Sequence, residues 1–242
     1  MRPFPFRLLP DSAEVVDGRL RVGDCDLIDL AAEFGTPLFV YDEDHLRARC
    51  REAVRVFGDG VAYATKAFLC GAMARLAHEE GMDLDVATGG ELHVVLHAGV
   101  PAERLVLHGN NKSMRELAMA VEAGVGRIVV DSFDEMDRLD ALHADTGRVP
   151  KVLVRLTPGV KAETHEFIAT GHDDSKFGFT VSSGAAAVAI ERARSSASME
   201  LLGVHAHIGS QVFVVSSFRR AAAIVAEVAE PFEVEEMSIG GG

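Results

Sequence analysis

The segments Val61-Ala-Tyr-Ala-Thr-Lys66, Leu84-Asp-Val-Ala-Thr88, Leu105-Val-Leu-His-Gly-Asn110 and Arg127-Ile-Val-Val-Asp-Ser132 decide the fold. Each is a short apolar run that ends in small or polar residues and precedes a stretch of helical periodicity. Their ends, Lys66, Thr88, Asn110 and Ser132, recur about every 22 residues, the length of one compact strand–helix unit. The strands read from this pattern are Val61–Ala64, Leu84–Ala87, Leu105–Leu107, Arg127–Val130, Lys151–Leu156, Leu201–Ala206 and Glu235–Ile239. Helices are expected to begin near Leu69, Gly90, Lys112, Phe133, Gly184 and Ser216. Ser113 or Asn111 ahead of Glu116, and Ser132 ahead of Glu135, supply N-terminal caps. Gly81, Gly99 and Gly124 fall where helices should stop. Such repetition means a parallel sheet, either doubly wound or closed as a (β/α)8 barrel. A run of strands with no composition break favours the barrel, whose site forms at the carboxyl ends of the strands.

Composition sets outer bounds. At 242 residues, 48% of them hydrophobic, the chain can bury a sizeable core. Its apolar runs are shorter than the roughly 20 residues that span a bilayer, so no membrane association is expected. The start, Met1-Arg-Pro-Phe-Pro-Phe6, lacks the pattern of a signal peptide, and a cytoplasmic location is expected. A formal net charge of -13 disfavours a nucleic-acid partner, which needs a clustered basic stripe. Cys25, Cys50 and Cys70 show no metal-type spacing and read as free thiols.

The strand ends bring a lysine, an arginine, histidines, hydroxyls and a glycine loop to one mouth, a set suited to a small anionic or phosphorylated ligand. Lys66 closes an apolar strand and precedes Ala67, Phe68 and Leu69, so its surroundings are expected to be poorly hydrated. Desolvation frees an amine for Schiff-base chemistry with an aldehyde, although most lysines are simply solvated. Gly240-Gly241-Gly242 can aim backbone N–H groups at an anion, or can be a turn. His207 and Ser210, in His-Ile-Gly-Ser-Gln211, can stack on a ring and donate to a phosphate; a core histidine is the alternative. His93 and His97 share a helical face, but no third metal ligand is evident and no metal site is expected.

Together these segments resemble the fold-type-III decarboxylases that use pyridoxal phosphate. Tyr63-Ala-Thr-Lys66-Ala resembles the family's Schiff-base segment, and Asp85-Val-Ala-Thr-Gly-Gly-Glu91 a second family segment. His207-Ile-Gly-Ser-Gln211 and Gly240-Gly-Gly242 resemble the cofactor-stacking and phosphate segments, in family order. His108-Gly-Asn-Asn-Lys-Ser113, and Thr164 to His172 leading into Ser175-Lys-Phe-Gly178, are similar to the diaminopimelate decarboxylases within that family.

The resemblance implies a TIM-like (β/α)8 barrel of the alanine racemase/ornithine decarboxylase type, here without the eighth strand and the C-terminal β domain. Residues 35–242 would form the incomplete pyridoxal-phosphate-binding barrel, and residues 1–34 an N-terminal segment associated with that β domain. Lys66 would hold the cofactor, His207 would stack on its ring, and Ser210 with Gly240, Gly241 and Gly242 would bind its phosphate. Asp85 and Arg155 would lie near the Schiff base and ring hydroxyl. The implied reaction is decarboxylation of meso-2,6-diaminopimelate to L-lysine in a homodimer, with little activity in this chain alone. Decarboxylation of ornithine, arginine or a carboxylated polyamine, or non-catalytic binding of cofactor or partner, are the alternatives.

Overall fold

The structure is a computed structural model that describes residues 6–160, 176–210, 212 and 214–241. Contacts divide the chain into two units, one drawn from Met1–Tyr63 and Leu76–Asp83, the other from Ala64–Arg75 and Leu84–Gly242. The boundary at residues 34/35 read from sequence falls inside the first unit.

In the first unit, β1 (Glu14–Val16), β2 (Arg19–Val22) and β3 (Cys25–Asp26) form an antiparallel meander. Asp17-Gly18 and Gly23-Asp24 make its two turns, all four residues at positive φ, as two-residue hairpins require. Asp26 caps α1 (Leu27–Phe34) and Asp42 caps α2 (Glu43–Phe57), each carboxylate accepting from backbone N–H groups of the first turn. Arg47 of α2 pairs with Glu43, Glu79 and Glu80, at 2.9 Å each.

β4 (Ala62–Ala64) ends, and α3 (Gly71–Glu79) begins, within the second unit. There follow β5 (Asp83–Val86), α4 (Gly89–His97), β6 (Leu105–Leu107), α5 (Met114–Ala123), β7 (Arg127–Val130), α6 (Phe133–Thr146) and β8 (Lys151–Thr157). Then come β9 (Phe179–Thr180), α7 (Ala185–Ser195), β10 (Glu200–His205), α8 (Val215–Ala229) and β11 (Glu236–Ser238). All seven strands expected from the sequence form. Ser113 and Ser132 cap α5 and α6, and Gly124 ends α5 in the left-handed region.

The sheet order is β11-β10-β8-β7-β6-β5-β4, with the short β9 alongside β8. Adjacent strands pair parallel wherever their register is defined. A doubly wound sheet reverses its order at a switch point, whereas this order follows the chain throughout, as barrel strands do. Among the described residues the second unit thus carries the strand succession of a (β/α)8 barrel.

Strand residues alternate between two buried faces. Leu84, Leu105, Leu107, Ile128, Val130, Val152 and Val154 pack in one cluster with Leu92, Leu117, Met136 and Ile190 of the helices. Val106, Val129, Leu153 and Leu202 form a separate apolar layer on the opposite face. Burial on both faces is why these strands read as unbroken apolar runs.

Candidate active site at the carboxyl ends of the strands

The period of two that builds the apolar layer also places the chemistry. Two residues beyond Val106, Val129 and Leu153 stand His108, Asp131 and Arg155, on the same face one step nearer the strand ends. Arg155 is in register with His205, and His205 with Ser238. A polar layer results. His108 Nε2 lies 3.2 Å from Asp85 Oδ1, and the His108 and His205 rings meet edge to face at 4.9 Å. His205 Nδ1 is 2.8 Å from Ser238 Oγ, and Arg155 Nη1 is 3.6 Å from Asp131 Oδ2. The Arg155 guanidinium lies over the Phe177 ring, 4.4 Å from its centroid.

Beneath this layer, buried Lys112 donates to Glu135 at 2.5 Å, to Val129 O at 2.6 Å and to Gly109 O at 2.7 Å. The other Glu135 oxygen accepts the Asp131 backbone N–H at 3.1 Å. One lysine therefore ties the end of β6 to the end of β7 and the first turn of α6. Burial raises the pKa of Glu135, opposed by the Lys112 charge.

Lys66 corrects one expectation. It is exposed, in a single turn of 3-10 helix (Thr65–Ala67) that follows β4, and the buried residue there is Thr65. The apolar neighbours Ala67 and Phe68 are themselves exposed, so they do not desolvate the amine. What fixes the turn is Thr65 Oγ1, which donates to Asp85 O at 2.8 Å.

His207 and Gly240 come together. Gly240 has φ +65°, and a Cβ on it would stand 2.8 Å from His207 Nδ1 and 2.8 Å from Ala206 O. Only glycine lets this backbone lie against the imidazole. Burial, then the charges of Arg155, Lys66 and His108, lower the His207 pKa to about 4. Its ring is consequently neutral near pH 7. His205 is pushed in the same direction, chiefly by complete burial. Ser210 is half-buried, and Gly241 has open space where a Cβ would be. Gly242, Gln211, Ser175 and the Thr164–His172 segment lie outside the described residues. His93 and His97 stack at 6.1 Å on the exposed side of α4.

Sequence reasoning missed the Lys112–Glu135 pair. Glu135 was legible as the residue three past its cap, but a contact between residues 23 apart leaves no periodic trace. Ser238 was likewise hidden inside a strand.

The side chains present suit a phosphorylated aromatic aldehyde. They offer an accessible primary amine, a neutral flat ring, a cationic field from Arg155 and Lys66, and glycine backbone without Cβ atoms where an anion can approach.

Comparison with known proteins agrees. A family model described as pyridoxal-dependent decarboxylase, pyridoxal binding domain, matches residues 43–242. The diaminopimelate decarboxylase of Mycobacterium tuberculosis is 56% identical over 207 residues, covering 85% of this chain and 46% of that protein. The Bacillus subtilis protein of that name is 49% identical over 210 residues, covering 85% and 48%. The crystal structure of diaminopimelate decarboxylase from M. jannaschii in complex with L-lysine superposes with a TM-score of 0.84 at 33% identity, covering 95% of this chain and 56% of that one. The chain spans about half the length of the curated relatives it matches.

Proposed function

Since the chain belongs to the pyridoxal-binding domain family of the pyridoxal-dependent decarboxylases, we propose that it is the cofactor-holding part of an enzyme that decarboxylates meso-2,6-diaminopimelate to L-lysine. The observation that carries the reading is the seating of Gly240 against a neutral His207 within the field of Lys66 and Arg155. Names borne by relatives at 44–56% identity support the choice of substrate.

Pyridoxal phosphate, when bound, supplies the electron sink for the pair left behind as carbon dioxide departs. The chain supplies the rest. Lys66 would offer the primary amine that holds the aldehyde. His207, uncharged near pH 7, would offer a flat ring to the cofactor and adds no positive charge beside Lys66. Ser210 and the backbone N–H groups of Gly240 and Gly241 would hold the phosphate. Arg155 would meet the anionic group that remains, and Asp85, steadied by His108, would lie near the ring hydroxyl. The same reading makes the intact protein a cytoplasmic homodimer, which sedimentation and cell fractionation test.

Borohydride reduction of the cofactor-loaded protein, followed by peptide mass mapping, tests the core of the proposal. A pyridoxyl label on Lys66 is expected, and a label on another lysine overturns it. Product analysis with diaminopimelate, ornithine and arginine tests the substrate: release of lysine from diaminopimelate alone is expected, and preferred turnover of either other amino acid refutes it.

A further inference from the structure

Asp131 is the buried acid that the reading above leaves without a task. Its side chain is 1% exposed, and neither carboxylate oxygen makes a well-formed hydrogen bond among the described residues, the backbone N–H of Gly178 being a neighbouring donor. A buried carboxylate in that condition is costly, so it calls for a partner. Its backbone, by contrast, is firmly held: Glu135 accepts the Asp131 N–H at 3.1 Å and is itself clamped by Lys112 at 2.5 Å. The Asp131 main chain is thus fixed by one acid while its own acid faces Arg155. The nearest cation is Arg155, whose Nη1 stands 3.6 Å from Oδ2, slightly too far for a hydrogen bond. The Arg155 guanidinium also lies over the Phe177 ring, 4.4 Å from its centroid.

We propose that Asp131 is a positioning residue that acts through Arg155, orienting the guanidinium so that its remaining N–H groups meet the anionic group bound beside His207. The planar, five-donor fork of arginine suits this, because one edge can be held by a carboxylate while another is offered to a ligand. A lysine at position 155 would offer a compact ammonium without that planar fork. The inference rests on the cofactor reading given above, and its test separates the two.

The test uses the native protein, its Asp131→Asn and Arg155→Gln variants, and the double variant, each stripped of cofactor and titrated with pyridoxal phosphate. Asp131→Asn is expected to weaken binding about tenfold, the low end of what a hydrogen bond to a charged group contributes, and to alter the absorption spectrum of the bound cofactor. Arg155→Gln should do the same, and the double variant should be no weaker than the worse single one, since both changes break one connection. A lowered melting temperature with unchanged affinity and spectrum would make Asp131 purely structural and overturn the proposal, as would additive losses in the double variant. Failure of the unaltered protein to bind pyridoxal phosphate would refute the cofactor reading itself. Should Asp131→Asn not fold, a crystal structure of the loaded native protein decides. An Arg155–Asp131 contact of about 2.8 Å is expected, whereas a guanidinium turned away from Asp131 overturns the proposal.

Discussion

Replacing Lys112 by methionine probes the polar layer most directly. The substitution keeps most of the side-chain volume but removes three hydrogen bonds, to Glu135, Val129 O and Gly109 O. It also leaves the Glu135 carboxylate, whose side chain is 3% exposed, with only the Asp131 N–H for company. Removing one member of a buried pair costs about 3–5 kcal/mol, mostly for stranding the other charge. In a chain of this size each kcal/mol shifts the melting temperature by about 2–4 °C, so a fall of roughly 10 °C is expected. The assay is thermal unfolding followed by far-ultraviolet circular dichroism, with urea unfolding as a check. Adding Glu135→Gln should restore part of the loss, because a neutral amide can still accept the Asp131 N–H and no charge is then stranded. A fall below about 2 °C in Lys112→Met, or a double variant worse than both single variants combined, would refute the idea of a clamp held by charge.

Three other outcomes follow from the same geometry. Gly240→Ala should weaken pyridoxal phosphate binding about tenfold, since a left-handed residue bearing a Cβ costs about 1–2 kcal/mol and that Cβ would meet His207 Nδ1 at 2.8 Å; unaltered affinity in a fluorescence titration would contradict it. Gly203→Ala would put a Cβ 1.9 Å from Glu236 O, across the β10–β11 pairing, and should destabilise the second unit by at least about 2 kcal/mol, which urea unfolding measures. Below pH 6.5 the unfolded chain protonates His207 while the folded chain, with its pKa near 4, does not. Stability should therefore fall as pH drops through that window, and His207→Gln should flatten the slope by up to about 1.4 kcal/mol per pH unit. Parallel slopes in the two proteins would show that His207 does not titrate as the structure implies.

The buried acids act in the opposite sense. Burial raises the pKa values of Asp131 and Glu135, so the folded state holds their protons more readily than the unfolded chain does and gains stability as pH falls into the carboxylate range. The His207 contribution is therefore read as the difference between two proteins rather than from one curve.

The sequence by itself determined the repeating units. Strands buried on both faces must be short apolar runs, and helices of one apolar face must follow a period near 3.6, so both leave a local signature. The end of each strand is likewise local, which is why His108, Asp131, Arg155 and His205 could be placed at one mouth, and Ser113 and Ser132 at helix starts, before any coordinates. Only the tertiary structure decided which of these groups touch. Whether Lys66 is wet or dry depends on the turn it occupies rather than on its sequence neighbours, and the apolar context of Ala67 and Phe68 misled for that reason. The Lys112–Glu135 clamp, the seat of His207 on Gly240 and the facing of Arg155 by Asp131 join distant positions through parallel register. Register is set by the packing of whole strands, a sum over many weak contacts that no single segment encodes.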